Sequence, residues 1–576
     1  MSGIFRLLWK KKWKIATGIF ILFAIDAAQL VVPLILRKAI DALAVGSATP
    51  GLITTYALWL VGLALFVAFF RFFWRYFLMG AARELERDLR DRIYAHVMRL
   101  HPGFFSEART GDIMALATND AEAVRMAIGM GIVASSDAAI MGLFSLGAML
   151  WISPSLTIYT AIPLAATTAV VLFFGKAIYK RFKAVQEAFA EITERVRETI
   201  SGIRIIKAFV QEDGERRSYR ELNEDYVAKN MSLVKIWGFF WPLVTFFAGS
   251  ATALVIWQGG AKAITGAISL GDVVAFMNYL WILVWPMVAI GWVTNLLQRG
   301  SASMARIQEL LDTKPEIADP QRPHRARVKG NIEFRGLTFS YSEDGDPVLR
   351  DVDLSVEEGM VVGIVGRTGS GKTTLVSLVP RLYDPPPGTV FVDGVDVRNW
   401  SLEALRGEIG FVPQEAFLFS ATIRENIAFF NPDAPEEDVV AAANAADIWH
   451  EIEEMPDGLD TVVGERGITL SGGQRQRVAL ARAIIKDPRI IILDDTLSAV
   501  DFETEERILD NLKRFLPGRT GLIISHRLSA VAHADLIIVL EDGRVVEKGT
   551  HQELLRIGGI YAKTWELQQL ERAAAT

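Results

Sequence analysis

The sequence predicts a membrane-embedded all-α bundle of six helices, fused to an α/β domain that is built around a phosphate-binding loop. Hydrophobic residues make up 51% of the 576-residue chain, although its carboxyl-terminal part has an ordinary polar composition. The apolar excess lies in roughly the first 300 residues, in six stretches that are each long enough to cross a bilayer. A glycine-rich loop, placed between an apolar strand pattern and a helix pattern, marks the second domain.

The six apolar stretches predict transmembrane helices. One such stretch alone could be a buried helix of a soluble protein, but six in series favour a membrane domain. Their approximate bounds are Lys14 to Leu36, Leu52 to Met79, Ile128 to Ile152, Leu156 to Ile178, Ile236 to Trp257 and Val273 to Leu297.

Charge in the connections predicts the orientation of the helices. Lysine and arginine are concentrated at the amino terminus and in the second-to-third and fourth-to-fifth connections, whereas the other connections are short and almost uncharged. Positive charge stays inside, so both termini and the second domain are expected in the cytoplasm. The two charged connections, Ala81 to Leu100 and Phe182 to Tyr226, have helical periodicity, and they predict cytoplasmic extensions of the spans or else solvated spacers.

The glycine-rich loop runs from Gly366 to Thr373 and matches the P-loop pattern for nucleotide phosphates. Its glycines let backbone N–H groups point at phosphate oxygens, and the following helix adds a favourable dipole. Lys372 is expected to neutralise the β and γ phosphates of ATP, and the Thr373 hydroxyl to hold Mg²⁺. The loop residues predicted to contact nucleotide are Arg367, Thr368, Gly369, Ser370, Gly371, Lys372, Thr373 and Thr374.

A second apolar run, Ile490 to Leu493, ends in Asp494. Ligands of open α/β sheets gather at the carboxyl ends of strands, so Asp494 is predicted to be the carboxylate that holds Mg²⁺. An aspartate that merely ends a strand is the alternative, which the P-loop in the same domain makes weak.

The segment Leu470-Ser471-Gly472-Gly473-Gln474 precedes a helical pattern and predicts a second anion site at a helix N-terminus. It has no lysine or metal ligand of its own. Such a half-site makes sense if nucleotide held elsewhere is pressed against it. Ser471, Gly472, Gly473 and Gln474 are therefore predicted to contact nucleotide.

With these motifs in order, residues 330–576 resemble the ATP-binding cassette (ABC) proteins, whose signature is LSGGQ. The resemblance implies that Tyr341 stacks on adenine, unless it is a core aromatic, and that Gln414 contacts Mg²⁺ and the attacking water. It further implies that Asp501 lies at a dimer seam and that His526 reaches the γ-phosphate. Glu465 resembles an acidic residue that couples to the membrane helices, or it is a solvated surface acid.

Asp495 departs from the family pattern, in which a glutamate at this position polarises the attacking water. Aspartate is shorter by one methylene, which withdraws its carboxylate by roughly an ångström, and a misplacement of that size can cost about a hundredfold in rate. The site is expected to bind ATP well and hydrolyse it poorly. With LSGGQ intact, the chain resembles the degenerate-site subunit of heterodimeric bacterial exporters. Alternatively, Asp495 is a slower base in a homodimer.

The predicted division is a membrane domain over residues 1–311, a proline- and charge-rich linker over 312–329, and the cassette domain over 330–576. By resemblance, short coupling helices are expected near Asn119 to Arg125 and near Phe209 to Arg217. The second of these is expected to cross to the nucleotide domain of the partner.

Polar residues interrupt three of the predicted spans. Asp26 and Gln29 lie in the first, Arg71 and Arg75 in the second, and Asp137 in the third. Ionisable groups at membrane depth are costly and often face a water-filled cavity. Substrate contact and structural pairing remain equally open for the two aspartates, whereas the arginines favour a structural role, because they can snorkel to the interface or pair with an aspartate.

The predicted function is ATP-driven export of amphipathic or hydrophobic compounds, drugs or lipids, across the bacterial inner membrane. A membrane signalling ATPase is the alternative from another class, and an importer is disfavoured because importers of this family usually separate the two parts on different chains. The net charge of −6 gives no support to nucleic-acid binding, and the absence of cysteine excludes disulfides and thiol catalysis.

Overall fold

The computed structural model describes Trp9, residues 11–342, 345–464, Gly467 and residues 469–498 and 500–575. The chain forms two compact units. The first comprises Met1–Met98 and Thr110–Thr313, and the second comprises Arg99–Arg109 and Lys314–Thr576. Glu465, for which a coupling role was predicted, lies outside the described residues.

The first unit contains six long apolar helices, here called spans 1 to 6, and it confirms the predicted membrane bundle. Each predicted stretch lies inside one span. The helices continue beyond the apolar stretches because the flanking charged sequence keeps helical periodicity. Their bounds are Lys12–Ala44, Pro50–Val97, Thr110–Ile152, Pro154–Ser201, Glu212–Ile264 and Leu270–Asp312.

Caps at the short uncharged loops fix where three spans begin. Ser153 Oγ accepts the Leu156 N–H at 3.4 Å, and Pro154 occupies the first turn of span 4, where a missing N–H costs nothing. Span 6 begins with a reciprocal capping box between Ser269 and Asp272. Thr49 caps span 2 in the same way as Ser153 caps span 4.

The spans are not regular α-helices throughout. Single turns of π-helix occur inside spans 2, 3 and 5, where one extra residue is accommodated without ending the helix. These turns are Arg75–Met79, Leu116–Asp120, Ala127–Gly131 and Val255–Gly259.

The predicted position of the first coupling helix is wrong. Asn119 to Arg125 lies inside span 3, where Asp120 accepts hydrogen bonds from Ser303 Oγ at 2.7 Å and from Arg306 Nε at 3.0 Å. These contacts hold the segment against span 6, so it cannot form a separate transverse helix. The short helix before span 3 is Pro102–Glu107, which belongs to the second unit.

The second short helix is Ile203–Ala208, slightly earlier than predicted. Phe209 to Gln211 form the turn that follows it, and Glu212 already begins span 5. Ile205 and Phe209 are exposed at this tip of the first unit.

The second unit is an α/β domain, as predicted, and it contains two sheets. A six-stranded sheet has the order β10-β9-β3-β8-β7-β6 and is parallel except for β10, and a four-stranded antiparallel sheet has the order β2-β1-β4-β5. The strands are β1 Ile332–Phe339, β2 Leu349–Val356, β3 Val361–Gly366, β4 Val390–Val392, β5 Val395–Asp396, β6 Ile409–Val412, β7 Ile490–Asp494, β8 Thr520–Ile524, β9 Leu536–Glu541 and β10 Arg544–Gly549.

Helices cover the parallel sheet, whose interior strands β7 and β8 are buried along their whole length, as continuous apolar strands require. The α-helices after the first unit are Lys372–Ser377, Leu402–Gly407, Ile423–Ile427, Glu436–Ala445, Trp449–Glu453, Gly472–Ile484, Phe502–Phe515, His551–Ile557 and Ile560–Ala575.

Residues 313–331 contain an isolated bridge at His324 and otherwise neither helix nor strand. The segment is nevertheless attached to the second unit. His324 N–H donates to the Asn399 carbonyl at 2.8 Å, and the Asp319 carboxylate accepts the Leu402 N–H at 2.9 Å.

Candidate nucleotide site

The P-loop joins β3 to the helix Lys372–Ser377 and depends on its glycines. Gly369 and Gly371 have φ of +85° and +96°, a region that residues with a Cβ rarely enter. A Cβ on Gly371 would also lie 2.8 Å from the Leu349 side chain and 3.0 Å from the Val348 carbonyl oxygen. The loop therefore admits only glycine at this position.

Lys372 is buried at the start of the helix, and its Nζ donates to the carbonyl oxygens of Gly366 at 2.9 Å and Arg367 at 2.8 Å. Burial lowers the pKa of the ammonium group, while the charges of Asp494 and Asp495 act in the opposite direction. The cation is thus held beneath the loop, where it can exchange carbonyl oxygens for phosphate oxygens.

Ser370 supports the fit of a phosphate to this loop. Its Oγ is buried and has no hydrogen-bond partner among the residues that the structure describes. A buried hydroxyl without a partner is costly, and a bound anion would supply the missing acceptor.

Asp494 ends β7 and is 2% exposed. Burial raises the pKa of its carboxyl group, and a hydrogen bond with the Thr373 side chain opposes that shift. Carboxylate and hydroxyl oxygens are the ligands that Mg²⁺ prefers, and the Gln414 side chain borders the same space. The residues present therefore fit a bound Mg²⁺.

Lys372, Thr373, Asp494 and Gln414 line one cavity of about 200 Å³ in the second unit. The structure brings ten predicted residues together in its lining and adds two that sequence reasoning missed, Val348 and Ile524. Neither has a sequence signal, because Val348 directly precedes β2 and Ile524 ends β8, and only the fold places them beside the loop. The predicted residues in the lining are Thr368, Gly369, Gly371, Lys372, Thr373, Thr374, Gln414, Asp494, Asp495 and His526.

Parallel pairing explains how Asp495 and His526 meet. Asp494 on β7 lies opposite Ile524 on β8, so the residues that follow both strands emerge at the same edge of the sheet. The Asp495 N–H donates to the Ile524 carbonyl at 3.0 Å, and its Oδ1 accepts the His526 backbone N–H at 3.4 Å. Asp495 has φ of +49° and is 7% exposed. The short side chain of Asp495 is thus hydrogen-bonded to nearby backbone.

Tyr341 lies beside the P-loop helix, where its hydroxyl shares a 2.8 Å hydrogen bond with Thr374 Oγ1. Tyr383 contacts its ring edge-on at a centroid distance of 5.0 Å. The side chain is 54% exposed, so it is not the core aromatic that was the alternative. An exposed ring next to the loop is compatible with stacking on a base.

The LSGGQ segment forms a well-capped helix start. Ser471 and Gln474 make a reciprocal capping box at the head of Gly472–Ile484. Gln474 Nε2 also donates to Glu451 Oε2 at 2.7 Å. Ser471 is exposed, and within the part of the chain that the structure describes, residues 471–474 do not line the P-loop cavity.

Asp501 caps the helix Phe502–Phe515, and its Oδ1 accepts the Thr504 N–H at 3.0 Å. That backbone hydrogen bond lowers the pKa of the carboxyl group. Its role at a dimer seam stays a prediction.

A six-helix membrane unit fused to an α/β unit with a P-loop, a carboxylate strand end and LSGGQ defines a membrane-embedded ATPase that couples hydrolysis to transport. Residues 15–287 match the family described as the ABC transporter transmembrane region, and residues 349–498 match the family described as ABC transporter. The chain belongs to the ABC transporter family.

The similarity to known ABC transporters extends over most of the chain. It is 38% identical to the probable multidrug resistance ABC transporter ATP-binding/permease protein YheI of Bacillus subtilis, over 99% of this chain and 97% of that protein. It is 37% identical to the ATP-dependent lipid A-core flippase of Desulfotalea psychrophila, over 84% of this chain and 85% of that protein. A bacterial Atm1-family ABC exporter solved with ATP bound has a TM-score of 0.80 at 27% identity, covering 97% of this chain and 98% of that one.

Proposed function

We propose that the chain is one half of a heterodimeric exporter that moves amphipathic drugs or lipids out across the bacterial inner membrane. Its own P-loop site holds ATP and hydrolyses it poorly. Relatives described as a multidrug resistance transporter and a lipid A-core flippase support the choice of cargo. The membrane domain is assigned to residues 1–311, the linker to 312–329 and the cassette to 330–576.

Asp495 carries the proposal. Its carboxylate is one methylene shorter than the glutamate of the family pattern, and it accepts the His526 backbone N–H. A water-positioning base must reach out from the strand end toward the γ-phosphate. A short carboxylate that is hydrogen-bonded to neighbouring backbone is poorly placed for that task. The site therefore binds nucleotide well and hydrolyses it poorly.

The other predicted residues keep binding roles in this proposal. Lys372 and the N–H groups of the loop hold the phosphates, and Tyr341 supports the base. Thr373, Asp494 and Gln414 would hold Mg²⁺, which supplies positive charge to the phosphate oxygens when bound. His526 reaches the γ-phosphate from the edge of β8.

The exposure of Ser471 supports the proposal that a second chain completes the transporter. A capped helix N-terminus with its polar face uncovered can donate to the phosphates of nucleotide held by another subunit. The intact LSGGQ segment of this chain therefore completes the site of a partner whose strand end carries the glutamate.

Affinity purification of the tagged chain from its native membranes tests the assembly. We expect a second ABC half-transporter at a one-to-one ratio, and ATPase activity of the pair about a hundredfold or more above that of this chain alone. A purified homodimer with brisk turnover would overturn the proposal in favour of Asp495 as a slow base. ATP turnover of the pair that no amphipathic compound changes, together with no uptake into inverted vesicles, would favour the signalling ATPase.

A further inference from the structure

Asp26 lies near the middle of span 1 and is 1% exposed. Neither of its carboxylate oxygens has a hydrogen-bond donor among the residues that the structure describes. Leaving a charged carboxylate in this state is expensive at membrane depth. The group therefore needs a proton or a cation.

A second carboxylate lies beside Asp26. Asp137 of span 3 lies within side-chain hydrogen-bonding range of Asp26, and two carboxyl groups can form such a bond only when one of them carries a proton. Two carboxylates at such short range do not both ionise readily. A proton on one of the two carboxyl groups would relieve this repulsion.

Other groups around the pair set its charge. Arg71 of span 2 acts on Asp26 through its positive charge, and Trp285 of span 6 donates its Nε1–H to Asp137 Oδ2 at 3.0 Å. One helical turn along span 1 from Asp26, the Leu30 carbonyl accepts a hydrogen bond from the Tyr279 hydroxyl at 2.8 Å. With one proton on the pair, the cluster of two aspartates and Arg71 is neutral.

The cluster is open on one side. Asp137 is half-buried, whereas Trp285 is 54% exposed in the same unit. An aromatic face beside a carboxylate is a suitable environment for an organic cation, which gains both a cation–π contact and an ion pair.

We infer that Asp26 and Asp137 form a binding site in the membrane domain at which one proton exchanges for one lipophilic monovalent cation. On exchange, the proton leaves the pair for the solvent and both carboxylates ionise. The arriving cation then restores the neutrality of the cluster with Arg71. Use of the site during transport rests on the proposed export function, whereas the exchange itself requires neither ATP nor a partner chain.

The test is equilibrium binding of tetraphenylphosphonium to the full chain in lipid nanodiscs without nucleotide. Calorimetry in two buffers of different ionisation enthalpy counts the protons released. We expect release of about one proton per cation bound, and an affinity that rises about tenfold per pH unit over the range in which the pair is protonated. Tetraphenylborate, of similar shape and opposite charge, should show neither effect.

Asp26→Asn and Asp137→Asn should each abolish proton release and flatten the pH dependence. Asp225→Asn is the matched control, because Asp225 pairs with Lys229 away from the cluster, and this variant should behave like the wild type. Should Asp26→Asn fail to fold, Asp137→Asn and the infrared band of a protonated carboxyl group in the wild type still decide the question. Cation binding without proton release, an unchanged pH profile in Asp137→Asn, or no protonated carboxyl band near neutral pH would overturn the inference. Because no nucleotide is present, these results are independent of whether the chain is half of a heterodimer.

Discussion

At the scale of single residues, hydrolysis at this site depends on the one methylene group that Asp495 lacks relative to a glutamate. The residue directly follows a buried strand, and its carboxylate accepts a hydrogen bond from the His526 backbone N–H. Its neighbours Lys372 and Asp494 remain suited to binding phosphate and metal. Binding and hydrolysis are therefore separable by substitution.

Asp495→Glu should raise hydrolysis at this chain's own site, by roughly tenfold to a hundredfold, because the longer side chain extends past the backbone contact toward the attacking water. The measurement is phosphate release by the pair in a Ser471→Arg background, in which the partner's site is silent. Asp495→Asn controls for the substitution itself. No gain from the glutamate would show that other features limit this site.

Lys372→Ala should remove ATP binding at this site, because no other cation lies beneath the phosphate loop in the described cavity lining. Mg²⁺-ATP at about 100 times its Kd should stabilise the wild-type chain by about 2.7 kcal/mol. Thermal unfolding with and without nucleotide measures this stabilisation. It should disappear in Lys372→Ala and persist in Asp495→Ala; loss in both variants would contradict the separation of binding from hydrolysis.

At the scale of elements, two helix starts share the same capping box but differ in their predicted role. Ser471 and Gln474 cap Gly472–Ile484, and Thr550 and Glu553 cap His551–Ile557. Each cap contributes about 1 kcal/mol to its helix. Only the first is expected to meet the nucleotide of a partner.

Ser471→Arg should abolish turnover at the partner's site, because a bulky cation replaces the small hydroxyl at the phosphate-facing helix end. ATPase activity of the purified pair is the measurement. Thr550→Arg removes an equivalent cap and should leave turnover within about twofold of the wild type at a similar loss of stability. Equal losses of ATPase activity in the two variants would show that Ser471→Arg acts only by destabilising its helix.

The exposed short helix Ile203–Ala208 predicts a role in coupling ATPase activity to transport. Ile205 is 66% exposed in the first unit, and a covered apolar surface is expected there in the assembled transporter. Ile205→Asp should uncouple the pair, so that transported compounds no longer stimulate its ATPase activity. Val227→Asp, at the similarly exposed Val227 of span 5, is the control, and retained stimulation in Ile205→Asp would contradict the coupling role.

At the scale of the whole molecule, asymmetry between two chains is the central expectation. The sequence contains no cysteine, so an introduced pair of thiols reports contacts without background. A chain that carries both Ser471→Cys and Thr368→Cys should form no ATP-dependent disulfide dimer when expressed alone. A partner with cysteine at its own P-loop should cross-link to Ser471→Cys, as seen by non-reducing electrophoresis. Efficient cross-linking of this chain to itself would contradict the heterodimer.

The membrane bundle, the P-loop, the strand-end carboxylate and LSGGQ are all legible in the sequence by itself. They are local patterns, because the length of an apolar stretch, a glycine spacing and a capping box each depend on adjacent residues. The absence of a separate helix at Asn119 to Arg125 was not predictable in this way. Asn119 to Arg125 is held within span 3 by contacts such as Asp120 with Arg306, which are remote in sequence.

Only the tertiary structure decided which distant groups meet. It placed Val348 and Ile524 in the nucleotide cavity, brought the His526 N–H to Asp495, and set Asp26 of span 1 against Asp137 of span 3. The physical reason is that helix packing and parallel strand register are long-range properties. They determine whether a cation, a hydrogen-bond donor or a second carboxylate lies beside a buried charge, and no local sequence pattern predicts which of these it is.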